Sequence, residues 1–553
     1  IQPRHRFNIL KFKQMKKIVY LLGLLIIFFS CDLETELTSS YSEDVAWRNE
    51  ENLELYVKGF YGILRDNAEI YNNELSDGLS DILKYSVTNL NPTTYQNKVL
   101  LMENTISPLS SVLSNWGENY GRIKAQNEFL FDVEHKAKHM DENFIEVRKA
   151  EVRFLRAYAY YKIIRNHGGV ILRLENTGVD GGLDTEKDAN RARLTEEESW
   201  NFVISELEEI APILSNNKWS DKEYGRITGG AVYALLSRCA LYAKQFDKVI
   251  TAGKEVEKMG YELEDNYANV FSNPKSKEII LPVLFKYPEF VHYFDRYFGP
   301  TGDFADRGGW ACPTEELVQN YQIKENETYV DFDWSNPSHR ANPYENREPR
   351  FYASILYNGA NWRGRKIETF VGGKDGFTVY DFNTDFPGCV TGYFMRKYLQ
   401  ETNNTVDYGS DSYWIEFRFA EVLLNMAEAY AQKDEVPTGY QYLNKIRNRA
   451  KVPPYPEGSN LEIFMKNLEK ERMLELAFEG HRYWDIRRWR RAEDVIHGKR
   501  AHGVKITKDN NNLIYEVIPI EQKDRYFPEK YYYIPVPQSE IDRNNLCKQT
   551  PPW

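Results

Sequence analysis

The sequence predicts a mainly α-helical protein, in which helix pairs of the tetratricopeptide type form a scaffold with long irregular loops and minor β-structure. Four regions have apolar residues that recur at alternating steps of three and four, as on one face of a helix. Small residues at the predicted helix contacts are typical of closely packed helix pairs. Two long segments between the helical regions, about 50–130 and 265–410, are predicted to form irregular loops. Loops held on such a scaffold are where binding residues concentrate.

The first helical region reads VRKAEVRFLRAYAYYKIIRNHGG, residues 147–169. Phe154 and Tyr161 belong to its apolar face, which predicts an amphipathic helix. Gly168 and Gly169 predict the end of this helix, because glycine readily adopts the left-handed conformation of a C-cap.

The next helices are marked by local signals. TEEESW at 195–200 has the form of a capping box and predicts a helix start, since Thr and Glu at this spacing satisfy N–H groups of the first turn. Residues 229–263 then predict a helix, a turn near Lys244–Asp247 and a second helix.

The third region, residues 417–450, repeats this plan. Pro437 and Gly439 are predicted to break its first helix, with a second helix beginning directly after them. The fourth region begins at Leu461 and is predicted to continue as one helix through residues 478–491.

The stretch FEGHRYWDIRRWRR, residues 478–491, is the densest in charge and aromatic rings. A nucleic-acid surface, an acid–base site and a contact between helices are three interpretations of it. We interpret it as a structural contact in which Gly480 admits a close neighbour. Four of its charged residues follow at steps of three on a helix, a spacing that favours ion pairs: Glu479, Arg482, Asp485 and Arg488.

The amino terminus predicts export and lipidation. Residues 1–14 precede Met15 and are interpreted as an upstream gene-start overcall. Residues 15–30 combine two lysines with a short apolar run, as in a lipoprotein signal peptide. Cys31 is the predicted lipidation site, and residues 31–45 are the predicted tether; an ordinary signal peptide with a chance cysteine is the alternative.

Composition excludes several classes of function. The formal net charge of −11, from 71 basic and 82 acidic residues, argues against a nucleic-acid binder. We expect no metal and no cofactor, because the remaining cysteines have no metal-ligand spacing and no phosphate-binding Gly-rich loop occurs. No disulfide pairing follows from their positions: Cys239, Cys312, Cys389 and Cys547.

Seven segments in order resemble the SusD/RagB family of outer-membrane nutrient-binding lipoproteins. Besides the lipobox at Cys31 they are NWGENYGRIKAQNEFL, AEVRFLRAYAYYKIIRNHGGVIL, GRITGGAVYALLSRCALYA, RFAEVLLNMAEAYA, KERMLELAFEGHRYWDIRRW and YYYIPVPQSEID. The resemblance covers essentially the whole mature chain. The closing segment, NNLCKQTPPW, departs from the family's usual Asn-Pro-rich ending.

The resemblance implies a single SusD-like helical domain over residues 46–553, with ligand-binding loops at about 50–130 and 265–410. It implies a lipid-anchored, cell-surface protein of the outer membrane that captures glycan and delivers it to a SusC-like TonB-dependent β-barrel transporter. No catalytic residue is expected. A peptide-binding member of the family, a non-catalytic scaffold lipoprotein and a surface glycan hydrolase remain as alternatives.

Glycan binding needs flat aromatic platforms with polar groups nearby. The loop at 290–313 offers rings in the part of the chain where family members carry binding aromatics, although packing within the loop is the competing interpretation of these rings. Its candidate residues are Tyr293, Tyr297 and Trp310 as platforms, and Asp295, Arg296, Asp303 and Arg307 as polar groups.

Residues 73–97 are predicted to contribute a second part of the site. Its candidates are Asp77, Asp81, Tyr85 and Tyr95, for which structural packing is the competing interpretation. Trp362 is a further loop candidate. By contrast, Trp116 and Tyr120 are predicted to lie in the helical core.

Overall fold

The structure, a computed structural model, describes eight stretches of the chain. They are residues 43–87, 94–110, 113–174, 190–304, 308–383, 387–402, 408–510 and 512–553. The residues predicted as gene-start overcall and signal peptide, Cys31 and most of the predicted tether lie outside them.

The chain forms two compact units, divided between Tyr56 and Val57. The described part of the first unit holds a short helix and the start of a second one, and Trp47 meets Tyr56 edge-on with ring centroids 5.9 Å apart. The second unit contains the remaining described elements.

The described residues contain these α-helices. They are α1 Glu43–Ala46, α2 Glu50–Phe60, α3 Gly62–Asp66, α4 Glu69–Asn72, α5 Thr94–Leu101, α6 Trp116–Lys136, α7 Glu142–His167, α8 Glu196–Asn216, α9 Gly229–Tyr242, α10 Phe246–Lys258, α11 Phe294–Phe298, α12 Glu315–Val318, α13 Pro337–Ala341, α14 Pro349–Ser354, α15 Phe419–Gln432, α16 Val436–Arg449, α17 Leu461–Glu475, α18 Arg482–Arg488, α19 Ala492–Ile496 and α20 Gln538–Arg543.

The strands are short and pair as antiparallel two-stranded sheets in the described chain: β1 with β3, β2 with β10, β4 with β5, β6 with β9, β7 with β8 and β11 with β12. They are β1 Leu83–Tyr85, β2 Ile279–Val283, β3 Ala311–Pro313, β4 Ile323–Glu325, β5 Thr328–Val330, β6 Ile355–Leu356, β7 Asn361–Trp362, β8 Arg365–Lys366, β9 Phe394–Met395, β10 Trp414–Arg418, β11 His502–Asp509 and β12 Asn512–Pro519.

Helix pairs form the scaffold, as predicted. Helix α7 packs against α6 and α8, α9 packs against α8 and α10, and α15 packs against α10, α16 and α17. The first insertion is more helical than its composition predicts, because residues 50–130 hold α2 to α5 and the start of α6. Among the described helices, none combines the length and the apolar character needed to cross a membrane.

The local helix signals are confirmed. Helix α7 ends at His167 and is capped by Gly168, whose φ is +80°. The capping box of α8 is complete, since Thr195 and Glu198 bond each other's backbone N–H. The turn between α9 and α10 falls at residues 243–245. Trp116 is buried and Tyr120 packs against the same core, where its hydroxyl donates to the Ile171 carbonyl at 2.9 Å.

The predicted break in the third region is wrong in position. The turn lies between Gln432 and Val436, and Pro437 occupies the first turn of α16. Proline is tolerated there because its missing N–H has no partner in the helix. Gly439 lies inside α16, where a Cβ would come within 2.8 Å of the Ala427 carbonyl oxygen, so this glycine serves helix packing.

The fourth region is not one continuous helix. Helix α17 ends at Glu475 and α18 begins at Arg482, with positive φ angles of 65° at Phe478 and 72° at Gly480 between them. Left-handed residues cannot continue an α-helix, so the predicted face and most of its ion pairs do not form. Only the pair between Asp485 and Arg488, at 2.9 Å, is confirmed.

The other charges of this stretch find distant partners. Arg482 bonds Asp81 and Glu469, while Glu479 bonds Lys397 and Arg418. The structural interpretation of the stretch therefore holds, although the partners differ from the predicted ones. The four described cysteines are free and buried: Cys239, Cys312, Cys389 and Cys547.

Candidate ligand-binding site

Strand β2 delivers the candidate loop to the surface. Its residues Ile279–Val283 pair with β10, and the chain then turns through residues 284–293. Lys286 and Phe290 close this turn by exchanging two backbone hydrogen bonds of 2.7 Å. Within the turn, Tyr287 is 39% exposed and Phe290 is 58% exposed. The sequence therefore holds apolar rings in water on a backbone that is fixed by hydrogen bonds.

His292 anchors the end of the turn. Its backbone N–H donates to the Ser410 carbonyl at 3.0 Å, and Ser410 N–H donates back at 2.7 Å. Its ring Nε2 lies 2.9 Å from the Ser412 carbonyl, while Nδ1 accepts from the Phe294 N–H at 3.2 Å. These contacts require a neutral ring, since Nδ1 is an acceptor. Burial accordingly lowers the pKa of His292 to about 4, against the opposing effect of the Ser412 bond.

Three aromatic rings follow one another from the surface inwards. Tyr293 is 39% exposed and contacts Tyr297 with centroids 6.3 Å apart. Tyr297 stacks on Trp310 at 3.9 Å, with an interplanar angle of 25°. Trp310 is buried, so one face of Tyr297 is covered by Trp310 and a ligand has access chiefly to Tyr293. The structure therefore brings the three predicted platforms together. We call Tyr293, Tyr297 and Trp310 the aromatic ladder, in which buried Trp310 supports the other two rings.

The two predicted segments, 73–97 and 290–313, are neighbours. Strand β1 pairs with β3 in the register that places Lys84 opposite Cys312. Ser86 extends the contact, because its N–H donates to the Trp310 carbonyl at 2.8 Å and its hydroxyl donates to the Gly309 carbonyl at 2.5 Å. The position of Trp310 is thus fixed by a segment more than two hundred residues earlier.

Asp77 and Asp81 lie against the stretch 478–491. Asp77 is fully buried, and its carboxylate accepts from the Arg482 N–H at 3.2 Å. Burial, followed by the charge of Glu69, raises the pKa of Asp77 well above its usual range. Burial alone would raise the pKa of Asp81, but the charge and hydrogen bonds of Arg482 lower it below its usual value. Neither carboxylate is presented to a ligand.

The remaining acidic candidates also have internal partners. Asp295 is buried and accepts from the Gln400 N–H at 2.6 Å. Asp303 accepts from the Trp362 indole and from Arg365, each at 2.9 Å. Trp362, predicted as a further loop candidate, is itself buried and belongs to β7.

The structure describes the side chains of two of the four remaining candidates, Tyr85 and Arg296. Tyr85 is buried, and its hydroxyl donates to the Asn73 carbonyl at 3.1 Å. Arg296 is half-buried within α11 and directly precedes Tyr297 in the chain. Tyr95 lies near the start of α5, but its side chain is outside the described residues, as is Arg307.

Sequence reasoning missed three exposed rings. Tyr287 and Phe290 lie in the turn after β2, and Tyr408, 73% exposed, precedes the Ser410 that pairs with His292. We call Tyr287, Phe290, Tyr293 and Tyr408 the aromatic rim. Charged neighbours at Lys286 and Glu289 were an available signal, since apolar rings between charged residues are typical of an exposed turn.

A cavity of about 370 Å³ adjoins the aromatic rim at Phe290. Its lining combines aromatic and aliphatic surface with cationic groups, including Tyr61, Arg65, Tyr224, Leu284 and Phe290. Flat rings beside hydrogen-bond donors suit a ligand with apolar faces and many hydroxyls. Within the described residues, no cluster of three potential metal ligands occurs.

Comparison with known families covers most of the chain. Residues 265–553 match the family described as the SusD family, and residues 42–241 match the family described as starch-binding associating with outer membrane. SusD-like protein P25 of Formosa agariphila is 23% identical over 518 residues, which cover 87% of this chain and 91% of that protein.

Solved structures share the fold. A SusD-like protein from Bacteroides fragilis is 26% identical, with a TM-score of 0.77, and the match covers 93% of this chain and 99% of that one. A SusD-like carbohydrate binding protein from the same species is 22% identical, with a TM-score of 0.75 and coverage of 91% and 99%. The helical scaffold predicted from the sequence is confirmed by these likenesses.

Proposed function

The chain belongs to the SusD family, and on that premise we propose that it is a non-catalytic protein that binds oligo- or polysaccharide through the aromatic rim and Tyr297. The observation that carries the proposal is the exposure of Tyr287, Phe290 and Tyr293 on a turn closed by backbone hydrogen bonds. Several exposed rings grouped on one turn are typical of a ligand-binding surface.

The fixed backbone supports this role. A platform that is already in place loses little conformational freedom when ligand binds, which leaves more of the stacking energy for affinity. Arg296 lies one residue before Tyr297 in α11 and supplies donors for sugar hydroxyls in the proposal. Trp310 holds Tyr297 in position. A similar solved structure is that of a SusD-like carbohydrate binding protein, which supports the same ligand class.

We further propose that lipid on Cys31 anchors the protein at the outer surface of the outer membrane, where it delivers glycan to a SusC-like TonB-dependent transporter. Acyl chains supply membrane affinity of about 0.8 kcal/mol per buried CH₂. Replacing Cys31 by Ala should move the protein from the membrane fraction to the soluble fraction. Retention in the membrane without Cys31 acylation would reject this anchor.

The binding proposal is tested by affinity electrophoresis against a panel of polysaccharides, followed by titration calorimetry with the retained ligand. Phe290→Ala and Tyr293→Ala should each weaken binding about tenfold, the effect of losing roughly 1.4 kcal/mol of stacking. Phe131→Ala is the matched control, because Phe131 is 48% exposed on α6 and lies outside the site.

Three assays separate the alternatives. Release of reducing ends from the retained polysaccharide would reject the non-catalytic proposal in favour of a hydrolase. Binding of peptides, with no retention of any glycan, would identify a peptide-binding member of the family. Binding of neither, together with a stable protein complex, would favour a scaffold.

A further inference from the structure

A second cavity, of about 480 Å³, lies where several helix ends meet. It is formed by the end of α7, the start of α8, the turn after α9, helix α18 and residues 532–533. Among the described residues that line it, none belongs to the aromatic rim or to the aromatic ladder. Its volume is typical of a small-ligand site, for which pockets of roughly 300–1,000 Å³ are usual.

The lining of this second cavity is basic, although the chain as a whole has a net charge of −11. Acidic groups line it only at Glu196 and Glu197 among the described residues. A concave basic surface concentrates anions in its vicinity. Its basic side chains are Arg165, Lys244, Arg487, Arg488 and Arg490.

Two of these arginines form no ion pair with a carboxylate of the described residues. Arg488 donates to Glu428 at 2.7 Å, and Arg490 lies 3.0 Å from Glu529. In contrast, within the described chain no carboxylate forms an ion pair with Arg165 or Arg487. Arg165 instead donates to the Tyr161 hydroxyl at 2.9 Å, and Arg487 donates to the Tyr532 carbonyl.

Both unpaired guanidiniums lie beside one indole. The Arg165 Cζ is 3.5 Å and the Arg487 Cζ is 4.9 Å from the ring centroid of Trp484. Arg487 is only 5% exposed, and the Nε atoms of both arginines have no hydrogen-bond partner within the described residues. Like charges placed together away from water are unfavourable unless a counter-ion balances them. Both guanidiniums line the cavity, so an anion bound in it would balance their charges.

We propose that this cavity binds an oxyanion, namely a sulfate or carboxylate group. The aromatic walls at Trp200, Tyr242 and Tyr533 offer apolar surface to a sugar that carries the group, and a free inorganic anion satisfies the same charges. The site is independent of glycan binding at the aromatic rim, so either proposal can fail while the other stands.

The test is titration calorimetry of the full-length protein at constant ionic strength with sodium sulfate, sodium glucuronate and glucose. Sulfate or glucuronate should bind with heat that saturates, and glucose should give none. Binding of glucuronate but not sulfate would identify a sugar-borne group as the ligand; the reverse would identify a free ion. Both outcomes support an oxyanion site, whereas binding of neither anion, or equal binding of glucose, overturns it.

Two variants assign the binding to this cavity. Arg487→Gln should weaken anion binding at least tenfold, because it removes an unpaired charge from the lining. Since Arg487 also bonds the backbone, a second variant keeps the test independent of folding. Glu197→Gln removes an exposed negative charge from the lining and should tighten binding roughly two- to fivefold.

Glu142→Gln is the matched control for Glu197→Gln, since Glu142 is likewise an exposed residue in the first turn of a long helix. It should leave the affinity unchanged. Equal effects of Glu197→Gln and Glu142→Gln would show that the anion binds elsewhere and would overturn the assignment. An unchanged affinity of Arg487→Gln would do the same.

Discussion

The guanidinium of Arg482 donates to both carboxylate oxygens of Asp81, each at 2.8 Å, across 401 residues of the chain. Arg482 also donates to Glu469 at 3.0 Å. The pair joins the first insertion to the start of α18, and its members are 14% and 6% exposed. This ion pair makes Asp81 part of the scaffold. The guanidinium of Arg482 is occupied by the carboxylates of Asp81 and Glu469, so it is not placed to bind a ligand.

Asp81→Asn should lower the free energy of unfolding by about 2–3 kcal/mol, because it removes the charge from a buried ion pair and leaves Arg482 with Glu469 as its remaining carboxylate partner. Urea denaturation at pH 7 measures this change. The pKa of Asp81 is lower in the folded protein than in the unfolded chain. The ionised carboxylate therefore stabilises the fold at neutral pH, and this contribution is lost as the pH falls through the pKa of Asp81 in the folded state.

Glu327→Gln is the control for Asp81→Asn. Glu327 pairs with Lys324 but its side chain is 91% exposed, and the substitution should leave stability unchanged. If Asp81→Asn weakened glycan binding and left the free energy of unfolding unchanged, Asp81 would be a ligand contact and not a structural residue.

Gly480→Ala should destabilise the junction between α17 and α18. Gly480 has a φ of +72°, and an added Cβ would lie 2.6 Å from the Glu69 carboxylate, which is itself held by the Ser76 N–H and hydroxyl at 3.0 and 2.6 Å. We expect a loss of roughly 2–3 kcal/mol, from left-handed strain and from the displaced carboxylate. Chemical denaturation measures it.

Gly498→Ala separates the two causes. Its φ is +69°, yet a Cβ there would meet no atom within 4 Å, so only the backbone strain of about 1 kcal/mol applies. Equal losses in the two variants would show that the approach of Glu69 to Gly480 has no energetic importance.

Acidification should loosen the turn that carries the aromatic rim. The pKa of His292 is about 4 in the folded protein and 6.5 when unperturbed, so the unfolded chain binds more protons between these values and stability falls as the pH is lowered from 6.5 to 4. The full contribution of this group is about 3 kcal/mol. Protonation would place a hydrogen on Nδ1 facing the Phe294 N–H.

The pH dependence of urea denaturation in wild type and His292→Gln measures this effect. The variant should show a smaller slope between pH 4 and 6.5, while the exposed-site control His135→Gln should keep the wild-type slope. Identical slopes in all three proteins would exclude His292 as the titrating group. Glycan affinity should follow the same trend in the wild type, since His292 fixes the turn.

Trp310→Ala and Tyr293→Ala should separate support from contact. Trp310 is buried beneath Tyr297, so its truncation should cost about 3–5 kcal/mol of stability. Tyr293 is exposed, and its truncation should weaken glycan binding while costing less than about 1 kcal/mol. Denaturation and calorimetry on the same preparations check both. A destabilised Tyr293→Ala protein with normal affinity would contradict this division.

The helices were predictable where the signal is local. The Thr195–Glu198 capping box and the Gly168 C-cap lie within a few residues of the termini they define, and both are present in the structure. The break in the fourth region was not predictable in this way. Its apolar and charged periodicity continues across Phe478 and Gly480, although both residues have positive φ angles that end a helix. Periodicity indicates which residues suit a helix, but it does not show where a distant side chain such as Glu69 packs against the chain.

The sequence by itself determined the family, the helix-pair scaffold and the part of the chain that holds the candidate rings. Only the tertiary structure decided which rings face water: Tyr293 remains exposed, whereas Trp310 and Trp362 are buried. It likewise placed Asp81 against Arg482. Exposure of a ring or a carboxylate depends on segments hundreds of residues away, as when Ser86 fixes Trp310, and such contacts leave no periodic trace in the neighbouring sequence.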